Sequence, residues 1–91
     1  MSKNINANFA TSQVTVGATA TLIVAQKNGR DTVVVENTGT TPVYLGNSSV
    51  TTSNGLLLPG VLGASVAIET TDAVYGIVAS GTQVVCAVEN F

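Results

Sequence analysis

Two carboxylate pairs, Asp31 with Glu36 and Glu69 with Asp72, one thiol, Cys86, and two amines, Lys3 and Lys27, are the groups of this 91-residue chain whose types and spacing suit chemistry. Paired acids would serve glycoside hydrolysis, one carboxyl donating a proton while the other attacks or activates water. Both pairs sit at the ends of β-prone runs, where carboxylates are normally solvated, so neither is expected to act. A hydroxyl nucleophile needs a base beside it, and the chain holds no histidine. Only Lys3, in the terminal segment, or Lys27, beside a turn, would remain for that role. Cys86 lies between Val85 and Ala87 with no Lys or Arg beside it, the setting of a buried, unreactive thiol. A lone cysteine excludes an intrachain disulfide, and a structural zinc site lacks its Cys and His pairs. No Asp-rich loop offers calcium its oxygens, and no GxxxxGK segment cradles phosphate. Neither a cofactor nor an enzymatic activity is expected.

Composition points toward surfaces instead. Charged residues make up 9% of the chain, far below the roughly 25% of ordinary globular domains. A net charge of -2 supplies no basic patch for a phosphate backbone, so nucleic acid is not an expected partner. No run approaches the ~18–20 apolar residues of a membrane-crossing helix, and the start MSKNINANFA lacks the apolar core of a secretory signal. Either Thr, Ser and Asn coat a monomer, or weakly charged faces are buried against neighbouring subunits. The second is preferred, because a small domain gains most by sharing its faces.

The elements that must present such surfaces are strands. Fifteen Val, thirteen Thr and four Ile exceed a third of the chain, and β-branched side chains lose freedom in helices but pack well on pleated sheets. Turn signals such as Asn28-Gly29, Thr38-Gly39, Gly46-Asn47-Ser48 and Asn54-Gly55 recur about every ten residues, the spacing of a sandwich or barrel. Period-two runs predict seven strands: 13–16, 20–26, 32–37, 43–45, 65–70, 74–79 and 83–89. The expected fold is all-β, a small antiparallel β-sandwich of jelly-roll or Ig-like type spanning 13–91, preceded by an extended N-terminal arm over 1–12. Val33, Val35, Val66, Ile68, Val84, Cys86 and Val88 are the expected core, with Val34, Val85 and Ala87 facing outward.

Within the arm, Asn4-Ile5-Asn6-Ala7-Asn8-Phe9 alternates Asn with apolar residues, which suggests a segment that docks Ile5 and Phe9 on an adjacent subunit. Leu56, Leu57 and Leu58 form an apolar triplet between turn residues, expected to be a short strand or a plug at one end of the sandwich, or else a subunit contact. Pro59 marks an edge or loop because it lacks an amide donor. Tyr44 and Tyr75 would make a sugar-stacking platform if they met on one face; core or interface packing is the preferred role.

The stretch Arg30-Asp31-Thr32-Val33-Val34-Val35-Glu36-Asn37-Thr38-Gly39-Thr40-Thr41-Pro42-Val43-Tyr44-Leu45-Gly46, followed by Ser49-Val50-Thr51-Thr52 and Asp72-Ala73-Val74-Tyr75-Gly76-Ile77-Val78-Ala79-Ser80-Gly81-Thr82, resembles a recurring pattern in small virion proteins of tailed bacteriophages. The resemblance covers roughly 30–89 and departs at Gly60-Val61-Leu62-Gly63, where a more polar turn is expected. It implies a compact β module of the kind found in head decoration, head fibre and other minor structural proteins. The implied function is a capsid decoration (cement) protein, trimeric by analogy, that binds the major capsid protein on the outer surface of the assembled head. Such a protein would be made in the cytoplasm of the bacterial host and reside on the virion. The alternatives are another minor virion role, such as a head or tail fibre base or an adaptor, and a receptor- or carbohydrate-binding module. The expected contacts are Ile5 and Phe9 of the arm, Asn47 and Ser48 of the loop over 46–53, and Leu56, Leu57 and Leu58 at the start of the stretch over 56–62.

Overall fold

Side chains branched at Cβ are relieved of crowding in extended backbone, and the Val-, Ile- and Thr-rich runs take that conformation. The computed structural model describes residues 8–91, and among these it has eight strands and no helix. They are β1 (Phe9–Val16), β2 (Thr21–Val24), β3 (Thr32–Asn37), β4 (Val43–Gly46), β5 (Leu56–Leu58), β6 (Ser65–Ile68), β7 (Val74–Ile77) and β8 (Gln83–Asn90). Two four-stranded sheets result, sheet I in the order β1-β8-β3-β6 and sheet II in the order β2-β7-β4-β5, with every pairing antiparallel. Successive strands alternate between the sheets except at the β4–β5 hairpin, and this is the strand order of a jelly roll.

All seven expected strands are present, and an eighth is added. Leu56–Leu58 pairs with β4, Leu56 opposite Leu45 and Leu58 opposite Val43, so the triplet closes sheet II as an edge strand. Strand β1 starts at Phe9 rather than Gln13, and residues 9–12, assigned above to the arm, pair with 87–90 of β8. Phe9 is therefore a sheet residue opposite Asn90.

The core lies between the sheets and is built from Val16, Ile23, Val33, Val35, Val43, Leu45, Leu58, Val78, Val85 and their neighbours. Val33 and Val35 face it as expected, and Val66 and Ile68 pack partly buried against it. Strand β8 is the correction: Val85 and Ala87 point inward and are fully buried, whereas Val84, Cys86 and Val88 lie on the outer face of sheet I. Alternation could not phase this strand, because both of its faces are apolar. Register decides it, since Val35 is opposite Ala87 and Val33 opposite Glu89. That phase turns Glu89 inward, a cost relieved by the buried Arg30, whose Nη1 lies 2.8 Å from Glu89 Oε1.

Two buried polar side chains close the sandwich, one at either end of β3. Arg30 gathers the connections before β3, between β6 and β7, and the end of β8. Asn37 gathers the β3–β4 and β5–β6 connections. At the Asn37 end the chain passes so closely at Gly60 that a Cβ there would collide with the Thr40 carbonyl oxygen and come within 2.9 Å of Pro42 Cδ. The obstacle is backbone and proline ring, neither of which yields. Gly60→Ala is expected to lower stability by about 1–3 kcal/mol, seen as a lower urea midpoint with an unchanged slope.

Candidate functional site

Alternation along a strand gives each sheet an inner and an outer face. On sheet II the inner positions are those of Val43, Leu45, Leu58 and Gly76, so the outer face carries Tyr44, Leu57, Tyr75 and Ile77, joined by Leu22 from β2. Ile77, Tyr44 and Leu57 stand opposite one another in a row across β7, β4 and β5, and Leu22 stands opposite Tyr75. Leu22 is 45% exposed and Leu57 50% exposed. No Asp, Glu, Lys or Arg occurs in any strand of sheet II. Sheet I differs: its outer face shows Thr11, Gln13, Thr15, Glu36 and Ser65 among Val34, Val84 and Val88. The outer face of sheet I is mixed, with Phe9, Ala67 and Cys86 also on it, whereas that of sheet II is uncharged and apolar with two tyrosines.

Charge is divided along the other axis as well. Of the described charged residues, Lys27, Arg30, Asp31, Glu69, Asp72 and Glu89 lie at the end of the sandwich that holds the 25–31 and 69–73 connections; Glu36 alone lies toward the opposite end. At that opposite end the connections 17–20, 38–42, 59–64 and 78–82 are uncharged, and Val61 and Leu62 are among the most exposed apolar side chains. Lys27 Nζ, at the charged end, sits 3.8 Å from the centre of the Phe91 ring, which covers part of that cation.

The residues expected to make contacts are dispersed. Ile5 lies outside the described residues. Phe9 is 69% exposed and borders a shallow depression on sheet I with Thr32, Val34, Val88 and Asn90. Asn47 and Ser48 are exposed in the β4–β5 loop, where Asn47 Oδ1 accepts a hydrogen bond from the Ser49 amide and so shapes the turn. The leucine triplet divides three ways. Leu57 belongs to the outer face of sheet II, Leu58 is fully buried in the core, and Leu56 is inward-facing yet half exposed. Leu58 is thereby a core residue rather than a contact. Leu22, Tyr44, Tyr75 and Ile77 were not among the expected contacts. Their signal was a missing one: no charged residue occurs between Lys3 and Lys27, between Glu36 and Glu69, or between Asp72 and Glu89.

Glu36, Glu69 and Asp72 are exposed, and Cys86 is half-buried on the outer face of sheet I between Gln13 and Glu36. No group of three or more metal-ligating side chains gathers among the described residues. Tyr44 and Tyr75 do share a face, as diagonal neighbours across β4 and β7, a placement that brings Cβ atoms within roughly 7–8 Å. Their strand neighbours are Leu22, Ile77 and Leu57, which offer a sugar no hydrogen bonds. The chain matches no family model, no curated protein and no solved structure.

Proposed function

We propose that this protein is a virion module without catalytic activity, a capsid decoration protein that seats the outer face of sheet II on the outer surface of the assembled head. The observation that carries the reading is the uncharged face of Leu22, Tyr44, Leu57, Tyr75 and Ile77, opposite a sheet whose outer face mixes Thr, Gln, Ser and Glu with apolar residues. Depletion of charge with enrichment in aromatic residues marks the centre of protein interfaces, and tyrosine is among the side chains that carry binding energy there. The face lies on strands of a two-sheet framework, so it docks without ordering a loop, which spares the entropy that weakens flexible contacts. Copies seated on a symmetric shell of major capsid protein, and joined to one another, would add their modest affinities through simultaneous engagement. The resemblance of 30–89 to small virion proteins of tailed phages supplies the identity of the surface.

Sedimentation of the purified protein with heads that lack it tests this directly. Wild type should pellet with the heads, and Tyr44→Lys and Leu57→Lys should each weaken binding tenfold or more while leaving the far-ultraviolet circular dichroism unchanged. Binding that survives both substitutions excludes sheet II as the contact. The shared face of Tyr44 and Tyr75 supports a second reading, a glycan platform. Retention on a polysaccharide column that Tyr44→Ala abolishes would favour it over the capsid.

A further inference from the structure

The two sheets leave the core open between their edge strands β5 and β6, at the charged end. A cleft of ≈ 320 Å³ lies there, its walls formed chiefly by Leu45, Leu56, Ile68 and Val74, with Thr70 and Asp72 at the rim. Leu56 occupies an inward position in register with Leu45, yet it remains 52% exposed, whereas Leu58 on the same face of the same strand is fully buried. A core-facing leucine left half in water marks a place where an apolar side chain from elsewhere would complete the packing.

We propose that the occupant is Ile5 of a second copy of this chain, with Lys3 of the same segment meeting Asp72 at the rim. The segment ahead of the described residues is Met1-Ser2-Lys3-Asn4-Ile5-Asn6-Ala7. Laid out as a strand, it would put Lys3, Ile5 and Ala7 on one face and both asparagines on the other, matching an apolar cleft with a polar outside. Its one charge is positive, and the carboxylate at the rim is that of the exposed Asp72.

Reach selects the second copy over the chain's own segment. The described chain begins at Asn8, whose carbonyl accepts a hydrogen bond from the Phe91 amide beside β1. Strands β1 and β6 are opposite edges of sheet I, three strand spacings apart, or about 14 Å. The three residues from Asn8 back to Ile5 span at most roughly 10–11 Å. On that span the chain's own segment would fall short of the β5–β6 edge where Leu56 and Ile68 lie, which favours a second copy's segment as the occupant. Because the segment that is given and the cleft that receives lie at different places on the subunit, the contact is head-to-tail, and it closes into a ring when the rotation permits.

The test is the mass of the full chain by multi-angle light scattering. Wild type should be a closed oligomer, and Ile5→Asp, which spoils the segment, and Leu56→Glu, which charges the cleft, should each be monomeric. Mixed one to one, the two variants should form a dimer and nothing larger, because one intact segment then meets one intact cleft. A mixture that stays monomeric, or an Ile5→Asp variant with wild-type mass, overturns the proposal. Leu56→Glu also risks unfolding, so a second experiment places Ile5→Cys and Leu56→Cys in a Cys86→Ala background. Oxidation should link separate chains on a non-reducing gel; a bond closed within one chain, or none, overturns the proposal. Head binding enters neither readout, so failure here leaves the reading of sheet II standing.

Discussion

Arg30→Ala is expected to cost about 3–5 kcal/mol, roughly 15–30 °C in melting temperature for a domain of this size. The guanidinium is fully buried, and each of its nitrogens is engaged. Nε donates to the Thr70 carbonyl at 3.0 Å, Nη1 donates to the Ala25 carbonyl at 2.9 Å and to Glu89 Oε1 at 2.8 Å, and Nη2 donates to the Asp72 carbonyl. Truncation leaves three part-buried carbonyls and the Glu89 carboxylate without this donor around a side chain that itself has no exposed surface, and orphaned groups carry a desolvation penalty. Against a total stability of about 5–15 kcal/mol for a small domain, this loss would populate the unfolded state at physiological temperature. Arg30→Lys should recover only part of it, because an ammonium with three donors cannot reproduce the planar fork that spans four acceptors.

A double variant separates the ion pair from the backbone contacts. If the pair with Glu89 were the whole effect, Arg30→Met with Glu89→Leu would return to near wild-type stability, as apolar replacement of buried pairs commonly does. We expect it to stay well below, because the carbonyls of Ala25, Thr70 and Asp72 remain unpaired. Urea denaturation followed by circular dichroism measures each of these. A double variant as stable as wild type would assign the role of Arg30 to the ion pair alone.

Asn37→Ala is the second large effect, about 3 kcal/mol as several buried groups lose their partners together. Asn37 has no exposed surface. Its Nδ2 donates to the Thr41 carbonyl at 2.8 Å and the Pro59 carbonyl at 3.0 Å, while its Oδ1 accepts from the Gly39 amide at 2.9 Å. The amide side chain thus uses both its donors and its acceptor, binding the β3–β4 and β5–β6 connections across the two sheets. Asn37→Asp tests that assignment with nearly unchanged shape. The carboxylate can still accept from Gly39 but faces two carbonyls with no proton to give, so it should cost at least as much as alanine. An Asn37→Asp midpoint equal to wild type would show that the donor contacts contribute nothing. Because Val61 and Leu62 lie on the connection that Asn37 holds, its loss should also loosen the neutral end before the sheets separate.

Seven strands were legible because β-branched runs and Gly/Asn turn signals are local properties. The eighth was harder, since Leu56, Leu57 and Leu58 show no alternation and leucine has no strong preference for strands. Phe9–Ser12 looked like part of an arm because its pairing partner, residues 87–90 of β8, lies at the far end of the chain. The inner face of β8 was misread for a related reason: Val84, Val85, Cys86, Ala87 and Val88 are apolar at both parities, and the acidic Glu89 argued against the phase that the fold adopts. Arg30 next to Asp31, just after a turn, reads as a solvated residue in sequence and is a buried clamp in the structure.

The contact surface was only partly legible. Leu57 was named from its place in an apolar triplet, but Leu22, Tyr44, Tyr75 and Ile77 come from three further strands and converge only when β2, β7 and β4 align. Tyr44 and Tyr75 were recognised as a pair whose meaning depended on a shared face, and the β4–β7 register supplies that face.

Side-chain branching, turn residues and scarcity of charge determined by themselves that this chain is all-β, made of short strands and poor in groups that do chemistry, because each of these acts within a few residues. Tertiary structure alone decided which face of β8 is inside, that Arg30 and Asn37 bind the two ends, and that five apolar side chains meet on sheet II. Burial of a given face depends on the strand placed beside it and the sheet placed over it, and those partners lie tens of residues away.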